Sequence, residues 1–472
     1  MLTLVVVLCG PALGLAQPRA LTLQQAVSEA LARNERMLDQ ADAAAQVDLD
    51  LRLARSPFLP KVVPSVFGSF GQTDVASQHY RLDLSQRLTT GTEMRVSVGT
   101  ATSQIPGVDG RGDVRFYNAD TTLLVTQPLL RGFGTAVSRR ALSSAERRQG
   151  AIGRQRGALR RQVAVETASA YYQLVAQNAF VAVARAGVDR ARALQDAADA
   201  KLAAGLVSQL DVLRARQLHA DAESQLADAL AALEEARDSL LLTMGSEPGE
   251  PLVVDAEIPL VNDVVDVESA TARALVSRPE LQDLADALVE STARLAVSRN
   301  QQLPQVDLNV AMTRRRTAAG LFDSFGGDGF RLATFFSLGM PVDRTTQSVE
   351  IQKAQIERGQ RERERTTLTR QLAAEIRREV RAAQRLARAI TAAETSVELS
   401  RQEVEVAQLR YDRGLSNNLD LVAAEGQLLA ARGRRIAALA QSAVQQLKLK
   451  AAMGVLDPDA VGTTTPARSG SR

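Results

Sequence analysis

The chain has 472 residues, 45% of them hydrophobic but only 3% aromatic and none Trp, and its 57 basic and 54 acidic residues leave a net charge of +3. Apolar content carried by Ala, Leu and Val suits long helices packed through small side chains and argues against bulky-cored globules. So small an excess of positive charge, at a pI of about 9.2, is weak support for a nucleic-acid partner.

The N-terminus opens with an apolar run, Leu2 to Leu8, followed by Cys9-Gly10-Pro11. Gly14 and Ala16 suit the small-residue positions of a signal-peptidase site, which predicts a signal peptide over residues 1–16 and a mature start at Gln17. A basic stretch before the apolar run is missing, so the natural start is expected further upstream. Cys9 reads as part of the discarded signal, because Leu8 precedes it where lipidation motifs want a small residue. The mature chain would then hold no Cys, so neither a disulfide nor a thiol nucleophile is expected. No later stretch approaches the about 18–20 uninterrupted apolar residues of a membrane helix. An exported chain without one is either soluble or a barrel.

Leu21 to Ser56 has helical periodicity and is stopped by Pro57 and Pro60. Four runs of period two follow. They are Val62 to Gly71, Tyr80 to Leu88, Glu93 to Ala101 and Ala119 to Gln127. Leu82 and Leu84 alternate with Arg81 and Asp83, and Val96 and Val98 with Arg95 and Ser97. Each run is about nine residues, the span a tilted strand needs to cross a bilayer. Their connections alternate between longer (Gln72 to His79, Thr102 to Asn118) and tight (Thr89 to Thr92), the loop pattern of outer-membrane barrels. The polar residues of such strands would line a wet lumen. A soluble sandwich explains the alternation equally well, but not strand length and loop asymmetry together.

From Ala136 to Ala203 the chain lacks Pro, and Val163, Thr167, Tyr171, Leu174, Asn178 and Val181 mark one helical face. At about 1.5 Å per residue such a rod has no place in a globular domain. Asp211 to Leu242 is its returning helix. The basic cluster from Arg139 to Arg161 lacks interleaved aromatics and a surrounding nucleic-acid-binding motif, so no nucleic acid is expected as partner.

The pattern then repeats. Leu21 to Pro60 is echoed by Val265 to Pro304, a shift of 244 residues (304 − 60). Two strand-length runs follow: Val306 to Thr313, and Phe330 to Leu338 beyond a loop over 314–329. Asp343 to Asp412 and Leu419 to Ala452 are the second pair of long helices. Gly205 to Leu213 returns as Gly414 to Val422, and Met244-Gly245 as Met453-Gly454, both at a shift of 209 (414 − 205). This predicts a repeat over 17–246 (strands about 62–127, tip about 204–210), a linker over 247–264, and a repeat over 265–456 (strands about 305–340, tip about 413–419). A disordered tail is expected over 457–472. The first repeat is 35 residues longer between its Leu-Pro and its tip (244 − 209), a surplus that one extra hairpin, Tyr80 to Leu88 and Glu93 to Ala101 with their tight turn and part of the loops, accounts for.

Chemistry is sparse. His79 and His219 have no partner at ligand spacing. No phosphate-binding loop occurs. Gly132-Phe133-Gly134 reads as a turn, and Glu234-Glu235 sits in a charge-balanced helix. No enzyme, metal or cofactor is expected.

Several segments occur in a characteristic order, and all but one of them have an echo in the other half. These are the leading helices with their Leu-Pro ends, "QPLLRGFG" at Gln127 to Gly134, "YDRGLSNNLDLVAAEGQLL" at Tyr411 to Leu429, and the two Met-Gly endings. In these the chain resembles the TolC family of outer-membrane efflux and secretion channels, from about Leu21 to Leu456. The resemblance implies a mostly α fold with membrane β. Long antiparallel helical hairpins would form an α-barrel, and transmembrane strands a β-barrel, internally duplicated and built as a homotrimer. The strands would contact outer-membrane lipid of a Gram-negative bacterium, and the helical part would lie in the periplasm. It further implies a passive conduit of a tripartite efflux or type I secretion system. The partners would be a periplasmic adaptor (membrane fusion protein) and an inner-membrane pump of RND, ABC or MFS type.

By the same resemblance, Gly205-Leu206 and Gly414-Leu415 match tips that dock the adaptor. Asp420 matches an acidic residue facing the pore constriction, and Asp211 and Tyr411 match a link that helps hold the tip closed. Two positions depart: Ala423 stands where some members have a second acidic ring, and Ser416 where an Arg can join the link. Those departures imply a gate that is less selective or more easily opened. Plain helix capping accounts for Asp211 and Asp420 as well. The usual family plan has two strands per half, whereas this chain has four and two. The extra hairpin is expected in the barrel wall, giving six strands per protomer. The alternative, a periplasmic coiled-coil adaptor, shares export and a helical hairpin but needs neither two copies nor membrane-length strands. A soluble coiled-coil scaffold is opposed by the signal-like start and the strands.

Overall fold

The structure, a computed structural model, describes residues 19–68, 76–105, 114–254, 257–260, 265–327, 329–416 and 418–462. The predicted signal peptide with Cys9, the end of the first strand run and most of the predicted tail lie outside the described residues. The first half contains β1 (Arg19–Ala20), α1 (Leu23–Arg33), α2 (Glu35–Arg55), β2 (Lys61–Gly68), β3 (Ala76–Arg87), β4 (Glu93–Ile105), β5 (Val114–Pro128), α3 (Thr135–Ser138), α4 (Arg140–Ala203) and α5 (Gln209–Met244). Then come β6 (Leu252–Val253), α6 (Val267–Ser277), α7 (Pro279–Gln301), β7 (Gln305–Ala318), α8 (Leu321–Ser324), β8 (Arg331–Gly339), α9 (Thr345–Asp412) and α10 (Asn418–Ala452). Two compact units are present: one takes residues up to 41, 155–279 and from 369 on, the other 42–154 and 280–368. Among the described residues no helix is long and apolar enough to cross a membrane.

The first unit is helical. Each leading helix, expected as continuous, is broken once. Asn34 is extended (φ −60°, ψ 128°); its Nδ2 donates to the Thr243 carbonyl at 2.9 Å and its Oδ1 accepts from the Arg36 N–H at 3.1 Å. Arg278 is likewise extended (φ −75°, ψ 122°), because Pro279 disfavours the helical region for the residue before it. The main core joins Ala26, Val27 and Ala30 of α1, Val163, Ala164 and Tyr171 of α4, and Leu240, Leu241 and Met244 of α5. The Tyr171 hydroxyl donates to the Leu21 carbonyl at 3.3 Å. β1 pairs in parallel with β6, which anchors part of the predicted linker. A second core packs Ala270 and Ala274 of α6 on Ile376 and Val380 of α9 and Leu449 of α10. Frequent Ala lets these backbones approach closely.

The second unit holds one antiparallel sheet in the order β2-β3-β4-β5-β7-β8. The extra hairpin, β3 and β4, is therefore an integral part of it, between β2 and β5. The strands outrun the expected boundaries. β3 begins at Ala76 rather than Tyr80, and β7 continues through Arg314, Arg315 and Arg316 to pair Ala318 with Tyr117. Backbone pairing continues past the apolar alternation, since polar side chains cost a strand end nothing in water. The expected loop over 314–329 is correspondingly short and contains α8. In this unit three arginines of the basic cluster meet carboxylates of α7. Arg140 and Arg147 meet Glu290, and Arg154 meets Asp286 and, at 2.7 Å, Asp283. Burial opposes the Arg154 charge, but its hydrogen bonds to the two aspartates outweigh this and raise its pKa.

Candidate functional site

Two features of the first unit are built by helix ends. α4 and α9 both stop in the same way. The Gly205 N–H donates to the Leu202 carbonyl at 2.9 Å and the Leu206 N–H to the Lys201 carbonyl at 2.9 Å. The Gly414 and Leu415 N–H groups bond Tyr411 and Arg410 likewise, at 3.1 and 2.9 Å. Gly205 and Gly414 have φ of 71° and 70°, the left-handed turn that closes a helix with its orphan carbonyls satisfied. The following residues, Leu206 and Leu415, are each 73% exposed. Such leucines stabilise nothing in the free chain, and each offers roughly 1.5–3 kcal/mol to a partner that buries it.

Asp211 and Asp420 occupy equivalent sequence positions but different environments. Asp211 is buried. It completes a capping box at the start of α5: its N–H donates to Ser208 Oγ at 3.3 Å, while its carboxylate accepts from the Ser208 N–H (3.1 Å) and hydroxyl (2.7 Å). Its carbonyl accepts from Asn418 Nδ2 at 2.6 Å, and Asn418 is fully buried. Asp420 is exposed in the first turn of α10, and among the described residues no ion pair engages it. One aspartate is thus held as a cap, and the other carries its charge into water.

Tyr411 packs in a cluster with Leu194 and Ala198 of α4, Val212 and Ala215 of α5, and Leu421 and Ala424 of α10. Its hydroxyl is buried without a hydrogen-bond partner among the described residues, as is Ser416 Oγ. Burial pushes the Tyr411 hydroxyl up, and the carboxylates of Asp211 and Asp412 push the same way. The structure thus brings Tyr411 near Asp211 without a hydrogen bond between them. The polar contact that joins α4 to α9 here is Lys201, which sequence reasoning missed. Its Nζ lies 3.7 Å from the Tyr411 ring centroid, 3.4 Å from the Tyr411 carbonyl oxygen and 3.6 Å from Asp412 Oδ1. A lysine in the last turn of a helix is too ordinary to signal this.

The sheet of the second unit has two chemically distinct faces. One carries Leu82 and Leu84 of β3, Val96 and Val98 of β4, and Val310 and Met312 of β7, continued on β8 by Leu332, Phe336 and Leu338. These last three are 72%, 69% and 76% exposed, too much apolar area to leave bare in water. The opposite face carries Arg81, Asp83, Arg95, Ser97, Thr122 and Thr313. Its polar groups bond one another: Ser97 Oγ donates to Asp83 at 2.5 Å and Thr126 Oγ1 to Asn309 at 2.9 Å. Among the described residues no cluster of His, Cys, Asp or Glu could hold a metal ion.

Residues 26–246 and 271–455 match the outer membrane efflux protein family. Among solved structures, the chain is similar to the CmeC outer membrane channel of Campylobacter jejuni (16% identity, TM-score 0.69, 92% of this chain and 85% of that one). It is also similar to the outer membrane protein VceC of Vibrio cholerae (17%, 0.69, 92% and 96%). A third is the MtrE outer membrane channel of Neisseria gonorrhoeae in its open state (18%, 0.68, 92% and 89%). No curated protein sequence matches the chain.

Proposed function

The chain belongs to the outer membrane efflux protein family, a family of channels rather than enzymes, and from that premise we propose that it is a passive trimeric conduit gated at the helix ends around Gly205 and Gly414. Its sheet would supply one third of a transmembrane β-barrel in the outer membrane, and its helices an α-barrel in the periplasm. An adaptor and an inner-membrane pump of RND, ABC or MFS type would complete a tripartite efflux or type I secretion system, with Leu206 and Leu415 as the docking residues.

The observation that carries this reading is the sheet with one exposed apolar face and one polar face. A barrel is the one β-structure that satisfies all backbone groups in lipid, and such a sheet has a side for lipid and a side for water. It also disfavours the periplasmic-adaptor alternative, which has no use for an exposed apolar sheet. Internal duplication, with repeats at 17–246 and 265–456, is supported by a matched pair of contacts. Gly245 closes α5 against the Arg33 carbonyl and Gly454 closes α10 against the Ser277 carbonyl, positions related by the same shifts of 209 and 244 as the sequence repeats.

In the gate, three copies of Asp420 would form a negative ring that favours cations. Asp420→Ala should raise single-channel conductance in planar bilayers and lower cation preference; unchanged values would remove Asp420 from the gate. Fractionation supplies the broader test. Recovery in soluble periplasm alone, rather than in outer membranes as a trimer, would end the channel reading.

A further inference from the structure

We propose that the polar face of the sheet is an anion-attracting wall, which makes the outer-membrane part of the conduit selective for anionic cargo. This deepens the channel reading above and rests on it.

The strand register determines which side chains share the face, because directly paired residues lie on one side and alternate residues follow them. One row across the sheet reads Lys61, Ser85, Arg95, Leu124, Ala311, Ala333. The next reads Val63, Asp83, Ser97, Thr122, Thr313, Arg331, and the one beyond has Arg81, Gly99, Asp120 and Arg315. Each carboxylate on the face has a partner. Gly99 has no side chain, and across it Arg81 reaches Asp120 at 3.7 Å. Arg87 meets Glu93 at 3.8 Å. Asp83 is held by Ser97, and Asp307 by Gln305 at 2.7 Å.

Ser97 and Gln305 are neutral, so Asp83 and Asp307 keep their charge. Among the described strand residues six cations against four carboxylates leave the face at +2 (6 − 4). Four of the cations have no carboxylate partner. Lys61, Arg95, Arg315 and Arg331 are exposed and form no ion pair among the described residues. Lys61 and Arg95 stand in one row, two strands apart, about 10 Å at the usual strand spacing. Arg315 lies diagonal to Arg331, about 7–8 Å across adjacent strands. Both separations are within the ~10 Å Debye length at 0.1 M salt, so within each pair the two fields overlap rather than being screened apart. Like charges this close are tolerated where water or a mobile anion solvates them, and a concave low-dielectric wall focuses such fields. The sign is opposite to that of Asp420. The tip and the sheet would thus act as two filters, and the sheet's filter favours anions such as carboxylates, phosphates and sulfates.

The test is a reversal-potential measurement on the full-length protein in planar bilayers under a KCl gradient at about 0.1 M, in an Asp420→Ala background that removes the tip charge. The probe ions are chloride and potassium. The channel should prefer chloride. Replacing Lys61, Arg95, Arg315 and Arg331 together by Gln should lower the chloride-to-potassium permeability ratio by roughly twofold or more. A companion with the three arginines changed to Lys keeps the charges and should keep the starting ratio, which separates charge from folding. Conductance steps with a ratio that the Gln set does not change, or a starting channel that prefers potassium, would overturn the anion wall and leave the channel reading standing. Absence of conductance steps in every form would overturn the channel reading itself.

Discussion

At the residue scale, the candidate gate divides into groups that bond and groups that do not. The Tyr411 hydroxyl is buried and has no partner among the described residues, so Tyr411→Phe should not destabilise and should raise stability by up to about 1–3 kcal/mol. Lys201 is different: its ammonium contacts the Tyr411 ring and the Asp412 carboxylate at once. A cation over an aromatic ring contributes about 0.5–1 kcal/mol at such sites. Lys201→Met should therefore lower the thermal midpoint and raise open probability in bilayers, while Tyr411→Phe does neither. Equal effects of the two substitutions would mean that the hydroxyl, not the lysine, holds the helix ends together. Elsewhere in the same unit, burial pushes Tyr172 up to about 12, with Tyr171 adding to the shift. The unfolded chain ionises near the ordinary 10.0, so the folded state holds this proton more tightly. Stability from Tyr172 is fully present below pH 10 and is lost as pH rises towards about 12. Circular dichroism through that window should show the helices weakening, and Tyr172→Phe should flatten the fall.

At the scale of elements, helix ends separate two kinds of glycine. Gly205 turns in open space, and a methyl group there would meet no atom within 4 Å. At Gly245 the same methyl would sit 2.6 Å from the Arg33 carbonyl oxygen, which is part of the backbone and cannot rotate away. Gly205→Ala should therefore cost the left-handed strain alone, about 1–2 kcal/mol, and Gly245→Ala clearly more. Calorimetry on the purified protein checks this, and equal shifts would mean that α1 and α5 give way freely. The helix and strand order was legible in the sequence because periods of 3.6 and 2 are local. The breaks inside the leading helices were not. Asn34 looks like any helical Asn, and what extends the chain there is a carbonyl of Thr243, some two hundred residues away. Arg278 did carry a local sign, Pro279, but helical periodicity on both sides masked it. Strand ends such as Ala76 and Ala318 were unreadable because polar residues mark no boundary. Of the tip, the Gly-Leu turns could be read directly, whereas Lys201, Asn418 and the unequal fates of Asp211 and Asp420 depend on which helices meet.

At the scale of the whole molecule, the question is what covers the two edges of the sheet. Among the described residues β2 and β8 each pair on one side alone, and an unpaired edge of eight or nine residues invites association. In a lipid bilayer the cost of leaving those N–H and C=O groups unpaired is prohibitive. In the proposed trimer, β8 of one protomer would pair with β2 of the next, and six strands per protomer would close an eighteen-strand barrel. β3 and β4 would stay inside each protomer's own sheet and reach no neighbour. Cysteine pairs test this. One Cys at Ser65 on β2 combined with Cys scanned along Arg331 to Gly339 on β8 should, at the correct register, give a covalent trimer after oxidation on a denaturing gel. Cys at Ser97 on β4 combined with the same scan should give no covalent oligomer, because β5 and β7 lie between β4 and β8 within the chain. Cross-links from β4 but not from β2 would mean that the extra hairpin forms the protomer boundary, and the eighteen-strand barrel would be wrong.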